Sequence, residues 1–196
     1  CHNLVHLFDK LSFRETSLVD LFKSKFGVES QVVLDPVLLL SPKEYYKFNN
    51  KIKCGLFSYF IVASRLKAQI TNLVSSRLGL AETNITIGKM VHGRIPSVEQ
   101  WISCIINSEF VVTDSFHGTI FCIMFNKPFI VIPNSEAGNE RLISILGELD
   151  LDNRLITSLS EDIDALLNKK IDWRTVNLKL DNLRELSQKF LLDSLK

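Results

Sequence analysis

A short polar segment in the middle of the chain carries several groups that could do chemistry. Asp114, Ser115, His117 and Gly118 follow almost directly on the apolar stretch Phe110–Thr113. If that stretch is a buried strand and a helix begins after it, the helix N-terminus presents free backbone N–H groups and the positive end of its dipole. Ser115 adds a hydroxyl, His117 a donor that can be cationic near neutral pH, and Gly118 lets a ligand approach closely. The segment therefore predicts a phosphate or carboxylate site.

This segment has two further interpretations. A Ser-His-Asp triad is a poor one, because Asp114, Ser115 and His117 are too close in sequence to align as acid, nucleophile and base without a distorted turn. A purely structural role fits the local chemistry as well as the anion site does. In that interpretation Asp114 or Ser115 caps the helix and His117 is merely hydrogen-bonded.

Arg14 could act together with His117. It follows directly on the apolar-rich run Leu7–Phe13, which predicts a strand, and it precedes a helix start. If both strands belong to one parallel sheet, Arg14 and His117 emerge at the same carboxyl edge, where open α/β sheets bind ligands. A guanidinium and an imidazole there could bind one small polyanion, the arginine through two parallel hydrogen bonds. The alternative is a surface cluster of Arg14 with Glu15.

Arg141 is a further candidate for substrate binding. It lies two residues into the helix that Asn139 opens. From this position its side chain could reach the same edge of the sheet. An ordinary solvent-facing helix arginine is the favoured alternative.

The remaining motifs point to no cofactor and no metal. The sequence has no G-x-G-x-x-G dinucleotide fingerprint. The segment Gly88–Gly93 has the glycine spacing of a phosphate loop, but Arg-Ile follows it where Lys and Ser or Thr are required. His2 and His6 lack the acidic residue that a zinc-protease pattern would add. We therefore expect cationic side chains and a helix N-terminus to hold the charge of a ligand.

The elements that would position these residues alternate between strand and helix patterns. Strand patterns occur at Leu7–Phe13, Gln31–Leu34, Lys53–Val62, Ile85–Ile87, Phe110–Thr113 and Pro128–Ile132. Helix patterns run from Thr16 or Ser17 to Gly27, over Arg65–Leu78, from the Ser97 capping box onward, and over Thr119–Phe125 and Asn139–Leu149. Apolar strands separated by helices indicate βαβ units. The predicted fold class is α/β, a Rossmann-like, mostly parallel sheet with helices on both faces.

Residues 172–195 predict a final amphipathic helix. Asp172 can cap it, and its apolar residues recur at steps of three and four from Trp173 to Phe190. We expect this helix to pack across the sheet or onto a neighbouring domain. Residues 1–196 as a whole are expected to form a single domain, because the length matches about one domain of ~150 residues.

The composition excludes several classes of protein. The chain has 196 residues, 46% hydrophobic and 23% charged, with 23 Lys and Arg against 22 Asp and Glu. That balance argues against a dedicated nucleic-acid binder, and no apolar run is long enough to cross a bilayer. The cysteines lack C-x-x-C spacing, which favours free thiols in a reducing cytosol. The expected location is the cytoplasm, with the inner face of the membrane as an alternative.

Over most of its length the sequence resembles the polysaccharide pyruvyl transferase family. The resemblance is strongest over Val111–Phe129, where the turn Thr-Asp-Ser-Phe-His-Gly is followed by Asn-Lys-Pro-Phe. Further matching segments are Leu11–Glu15, Leu34–Leu39, Ser97–Trp101, Asn139–Leu142 and Leu151–Arg154. Because these segments occur in this order, the resemblance is quite specific.

The resemblance implies both an activity and an architecture. Family members transfer pyruvate from phosphoenolpyruvate to sugar hydroxyls as a ketal, in exopolysaccharide or capsule biosynthesis. They have two Rossmann-like domains in a glycosyltransferase-B-like arrangement. This chain, which begins with Cys1, is then expected to be the C-terminal half, with the N-terminal domain absent.

The resemblance also implies roles for particular residues and partners. His117 is the histidine at the donor, and Arg14 is the arginine that binds the donor's anionic groups. The implied partners are phosphoenolpyruvate, a sugar or lipid-linked oligosaccharide acceptor, and the missing N-terminal domain. The isolated chain is expected to fold but not to transfer pyruvate, because a cleft between two domains needs both of its walls.

Two other functions are compatible with the sequence. A glycosyltransferase that uses a nucleotide sugar would share the fold and the site at the helix N-terminus. A non-catalytic relative that binds carbohydrate is the second, although the presence of both Arg14 and His117 argues against it. Binding of phosphoenolpyruvate rather than nucleotide diphosphates would separate a pyruvyl transferase from the first alternative.

Overall fold

The computed structural model describes residues 2–51, 53–86, 96–134 and 138–195. The strands are β1 (Ser12–Phe13), β2 (Gln31–Val32), β3 (Leu56–Phe60), β4 (Glu82–Thr86), β5 (Phe110–Thr113) and β6 (Phe129–Val131). The helices are α1 (His2–Val5), α2 (Thr16–Phe26), α3 (Pro36–Leu39), α4 (Arg65–Leu78), α5 (Val98–Asn107), α6 (Phe116–Met124), α7 (Glu140–Glu148), α8 (Ile163–Asn168) and α9 (Trp173–Ser194). Short 3-10 turns occur at Pro42–Glu44, Tyr46–Phe48 and Asp152–Arg154.

The described residues form two compact units. Unit 1 contains the described residues of Cys1–Leu40, Glu140–Asp150 and Trp173–Lys196, and unit 2 contains those of Ser41–Asn139 and Leu151–Asp172. The length of the sequence predicts one domain over 1–196, whereas the contacts of the folded chain fall into two groups. Unit 1 is assembled from three separate stretches of sequence, which is a long-range property that local patterns do not reveal.

Unit 2 is built on a four-stranded parallel sheet. Its strand order is β4-β3-β5-β6, and every neighbouring pair is parallel. Tyr59 pairs with Thr113, and Thr113 pairs with Val131, so the carboxyl ends of three strands are in register. The predicted α/β class with a parallel sheet is confirmed.

Side-chain alternation along the strands divides the core of unit 2 into two layers. One face of the sheet packs against α4 and α8 through buried apolar residues, among them Leu56, Phe60, Val112, Ile130, Ile70, Val74, Ile163 and Leu166. On the opposite face Tyr59 contacts Trp101 of α5, with 5.2 Å between ring centroids, and Trp101 contacts Phe121 of α6 at 5.3 Å. Helices therefore cover both faces of this sheet, as predicted.

Local signals explain where most of these elements begin and end. Helix α4 and strand β5 have the predicted bounds, and Gly79 ends α4 in the left-handed conformation at φ 64°. Ser97 and Gln100 form the predicted capping box of α5. The residue types predict Thr16 or Ser17 as the N-cap of α2, and this prediction is wrong: the N-cap is Glu15, which makes no side-chain capping bond. The run Lys53–Val62 forms a strand only over Leu56–Phe60, where it has parallel partners.

Unit 1 contains a separate two-stranded sheet. Among the described strands, β1 pairs only with β2, in parallel, with Ser12 opposite Gln31 and Phe13 opposite Val32. The prediction that the strands before Arg14 and before the His117 turn share one sheet is therefore wrong. The physical reason is that β1 extends over two residues and finds its partner in the nearby β2.

The final helix packs against the N-terminal part of unit 1. Ser187 of α9 accepts a hydrogen bond from the backbone N–H of Leu34 at 3.0 Å, and Arg184 donates to the carbonyl of Leu38 at 2.7 Å. Val176 and Leu180 are the buried apolar residues of this helix. Within the described residues, no helix combines the length and the apolar character that spanning a bilayer requires.

Candidate active site

The turn between β5 and α6 is held by its own polar side chains. Thr113 donates its hydroxyl to the carbonyl of Tyr59 at 2.7 Å and accepts from the backbone N–H of Ser115 at 3.1 Å. Ser115 is the N-cap of α6, since its Oγ accepts from the N–H of Gly118 at 3.2 Å. Thr119 in turn donates to the carbonyl of Ser115 at 3.0 Å. Ser115 therefore has the capping role that the sequence left open as an alternative.

Asp114 joins this turn to the loop after β3. Its carboxylate accepts from the backbone N–H groups of Ile61 at 2.7 Å and Val62 at 3.1 Å. It also accepts from Nζ of Lys67 at 2.6 Å, and both of these charged residues are buried. Sequence reasoning missed Lys67 because it has the position of a surface residue in the first turn of a polar helix. A lysine there opposes the helix dipole, and this unusual placement is the signal that could have revealed it.

The buried carboxylate also affects Tyr59 on the neighbouring strand. Burial raises the pKa of the Tyr59 phenol, and the negative charge of Asp114 raises it further. Tyr59 therefore stays protonated and neutral at physiological pH. Its phenol is therefore a neutral aromatic group, packed against Trp101, and not an anion.

His117 differs from its neighbours in exposure. Within residues 113–119 it is the exposed side chain, and the other six residues are buried. Its ring meets the ring of Phe116 edge-on, with 5.5 Å between centroids. The turn thus presents one imidazole to solvent. Hydrogen bonds to the side chains of Thr113, Asp114 and Ser115 hold the backbone that carries it. An imidazole in this situation can act as a general acid or as a donor to an anion.

Gly118 allows close packing at the start of α6. A Cβ atom at this position would lie 2.6 Å from Oγ1 and 3.2 Å from Cγ2 of Thr113. The side chain of Thr113 thus occupies the space that a Cβ at this position would need. The glycine allows the start of α6 to pack closely on the end of β5.

We expect Gly118→Ala to destabilise the protein by about 1–3 kcal/mol, the usual cost of overpacking a tight site. Equilibrium urea denaturation measures this loss. Gly147→Ala is the matched control, because Gly147 is an exposed residue of helix α7. Alanine there is expected to be neutral or stabilising by up to about 1 kcal/mol. Equal effects of the two substitutions would contradict the packing explanation.

Unit 1 contains a cavity that brings the two candidate arginines together. Its volume is about 680 Å³, and both Arg14 and Arg141 line it. The other lining residues are Ser12, Glu15 and Ser187 together with the apolar Phe13, Leu18, Val33, Leu34, Pro36, Leu39, Phe190 and Leu191. Two guanidinium groups at one largely apolar cavity can bind a small anion more strongly than they could at an open surface.

Arg14 is oriented by a carboxylate. It forms an ion pair with Asp35, whose side chain is 3% exposed against 40% for Arg14. Asp35 is also the N-cap of α3 and accepts from the N–H of Val37 at 3.1 Å. The sequence suggested Glu15, in a surface cluster, as the alternative partner of Arg14 and did not single out Asp35. The ion pair with Asp35 holds one nitrogen of the guanidinium, Nη1, in place while part of the side chain stays accessible.

The described residues place neither a metal-ligand cluster nor a disulfide at the site. Among the residues that the structure describes, no three His, Cys, Asp or Glu side chains come together as a metal site would need. Cys54, Cys104 and Cys122 are thiols rather than disulfides, and burial raises the pKa of Cys122 far above its usual range. The segment Gly88–Gly93 lies outside the described residues.

The five candidate residues thus occur in two places. Ser115, His117 and Gly118 stand together at the start of α6 in unit 2, and Arg14 and Arg141 line one cavity in unit 1.

Comparison with known proteins assigns the chain to a family. The family model for polysaccharide pyruvyl transferases matches residues 1–136. This chain belongs to the polysaccharide pyruvyl transferase family. The match includes Arg14 and the whole His117 turn, and it ends before Arg141. No curated protein matches the chain. Membership of this family implies a transferase of polysaccharide biosynthesis.

Proposed function

We propose that this protein transfers pyruvate from phosphoenolpyruvate to two hydroxyls of a sugar, forming a ketal in exopolysaccharide or capsule biosynthesis. The observation that carries the proposal is the family match over residues 1–136, which includes the turn that exposes His117. A hydrogen-bonded turn with one exposed imidazole suits a reaction that needs a proton delivered at a fixed point.

The reaction balances with phosphate as the leaving group. Two bonds form between sugar oxygens and C2 of the donor, and the bond between C2 and the phosphate oxygen breaks. The double bond between C2 and C3 becomes a single bond, and its electron pair binds the proton that turns the methylene carbon C3 into a methyl group. The two hydroxyl protons of the sugar are thereby accounted for, one on C3 and one on the released phosphate. We assign the protonation of C3 to His117 as general acid. His117 loses its proton in this step and is reprotonated by the acceptor hydroxyl or by solvent.

The other candidate residues have supporting roles in this proposal. Arg14 and Arg141 bind an anionic group of a substrate at their cavity, and phosphoenolpyruvate carries both a carboxylate and a phosphate. Ser115 and Gly118 shape the start of α6, whose positive dipole end favours an anion. The proposed enzyme is glycosyltransferase-B-like and cytoplasmic, with unit 2 as one of its Rossmann-like parts.

Anion binding by the cavity of unit 1 can be tested separately. Arg141→Gln is expected to raise the Kd for phosphoenolpyruvate about 10-fold or more, because a hydrogen bond to a charged group contributes about 1.5–3 kcal/mol. Arg14→Lys preserves a charge for Asp35 but loses the planar fork, and a similar increase is expected. Isothermal titration calorimetry measures both values. Arg174→Gln, which alters an exposed arginine of α9, is the control and should leave the Kd unchanged.

The proposed function itself is tested by incubating the full-length protein with phosphoenolpyruvate and candidate sugars. The acceptors are nucleotide sugars and lipid-linked oligosaccharides, and released phosphate is followed together with the mass of the sugar product. A sugar heavier by one pyruvate ketal, formed with one phosphate per ketal, supports the proposal. Transfer of a sugar from its nucleotide without consumption of phosphoenolpyruvate would identify a glycosyltransferase instead. Binding of sugars with no turnover would favour the non-catalytic alternative.

A further inference from the structure

One buried ammonium group connects the carboxyl ends of three strands in unit 2. Nζ of Lys67 donates to the carbonyl of Val62 at 2.7 Å, to Oδ2 of Asp114 at 2.6 Å and to Oδ1 of Asn134 at 2.6 Å. Val62 follows β3, Asp114 follows β5, and Asn134 follows β6. The three acceptors match the three N–H bonds of an ammonium group. All three hydrogen bonds of the ammonium group are therefore made, and they connect the loops that follow β3, β5 and β6.

Burying these two charges costs free energy, so the arrangement is an inefficient way to stabilise a fold. Lys67 and Asp114 have side chains that are 4% and 0% exposed, so both charges have lost most of their water. Lys67 also occupies the first turn of α4, where the helix dipole disfavours a cation. Replacing a buried ion pair by apolar residues of similar shape is often neutral or stabilising. The pair is therefore better explained by the geometry that it imposes than by stability.

That geometry reaches His117 through a short stretch of backbone. Asp114 is held by Lys67 and by the N–H groups of Ile61 and Val62, so its position relative to β3 is fixed from three directions. The next residue, Ser115, caps α6, and His117 lies in the first turn of that helix. A displacement of Asp114 would move this cap and the imidazole with it.

We propose that Lys67 is a positioning residue, which acts through Asp114 to hold the β5–α6 turn so that His117 points at its target. This inference rests on the proposed function of His117 as general acid. Lys67 itself needs no contact with a substrate. Its function is to limit the movement of the turn during proton transfer, where a displacement of about 1 Å can cost 10²-fold in rate.

The test uses Lys67→Met combined with Asp114→Asn in the full-length protein. This pair of substitutions removes both charges but keeps the approximate shapes, so the variant is expected to melt cooperatively. We expect kcat to fall about 10- to 100-fold while KM for phosphoenolpyruvate changes less than about threefold. Lys127→Met is the matched control: Lys127 is half-buried in the same unit and donates to the carbonyl of Ser108 at 3.0 Å, near the amino ends of β5 and β6. The control should change stability and leave kcat within about twofold.

A second measurement does not depend on turnover. The imidazole ¹⁵N signals of His117, assigned by comparison with His117→Ala, report its local environment. They should shift or broaden in the double variant and stay unchanged in Lys127→Met. If the wild type transfers no pyruvate but the signals respond in this way, the proposed function fails and the positioning role stands. Unchanged ¹⁵N signals of His117, or a kcat that falls only in proportion to the folded fraction, would overturn the positioning role of Lys67.

A milder variant serves if the double variant does not fold. Asn134→Ala removes one of the three acceptors of Lys67 and leaves the ion pair in place. A fall in kcat of a few-fold, with a shift of the His117 signals, is then the supporting result. The absence of both effects would overturn the proposal.

Discussion

Replacing His117 by alanine is expected to lower the turnover of pyruvyl transfer by about 10²- to 10⁴-fold in the full-length protein, the usual loss on removing a general acid. The expected effect on stability is small, within about 0.5 kcal/mol, because the side chain is exposed. The polar contacts that hold the turn come from Thr113, Asp114 and Ser115. Steady-state phosphate release and thermal melting measure the two quantities.

His6→Ala is the matched control for this experiment. His6 is also exposed, but it lies in unit 1 outside the residues that line its cavity. Its removal should leave turnover unchanged. If His117→Ala retains normal turnover, His117 is not the acid. If instead the variant loses activity because it unfolds, the histidine has the structural role that the sequence left open.

Lys67→Met alone is expected to lower the free energy of unfolding by about 3–5 kcal/mol, since it leaves the carboxylate of Asp114 buried without its cation. Asp114→Asn in the same chain should recover a large part of this loss by removing the stranded charge. Urea denaturation of the two single variants and the double variant gives the coupling energy between the residues. Purely additive effects would show that the two charges do not depend on each other.

A surface ion pair provides the comparison for the buried one. Lys179 contacts Asp150 within unit 1, with 36% and 72% of the side chains exposed. Lys179→Met should cost no more than about 1 kcal/mol, because water and salt screen exposed charges. A loss equal to that of Lys67→Met would mean that burial is not the cause of the larger effect.

Local sequence was sufficient to predict most elements that carry the site. The capping box of Ser97 and Gln100, the glycine end of α4 and the apolar strand β5 all depend on residues within a few positions of each other. The same applies to His117, because its residue type and its place after an apolar strand are enough to make it a candidate. Local structure of this kind depends on steric preferences and on hydrogen bonds between nearby residues, so the sequence is enough to predict it.

The long-range contacts of the charged residues could be seen only in the tertiary structure. Lys67 and Asp114 are 47 residues apart, and Arg14 and Asp35 are 21 residues apart. In both pairs the residue types alone predict ordinary surface charges or caps. The partner of β1 was likewise not predictable, because a strand of two residues carries too little pattern to select among parallel neighbours.

Sequence alone therefore predicted the α/β class and the helix that begins near His117, and it proposed the candidate residues of the site. Tertiary structure decided that Ser115 caps α6 and that Arg14 shares a cavity with Arg141. It also decided that the side chain of Thr113 packs where a Cβ of residue 118 would lie. The physical reason is burial. Which polar groups lose their water, and which partners then replace it, depends on segments that meet only when the chain has folded.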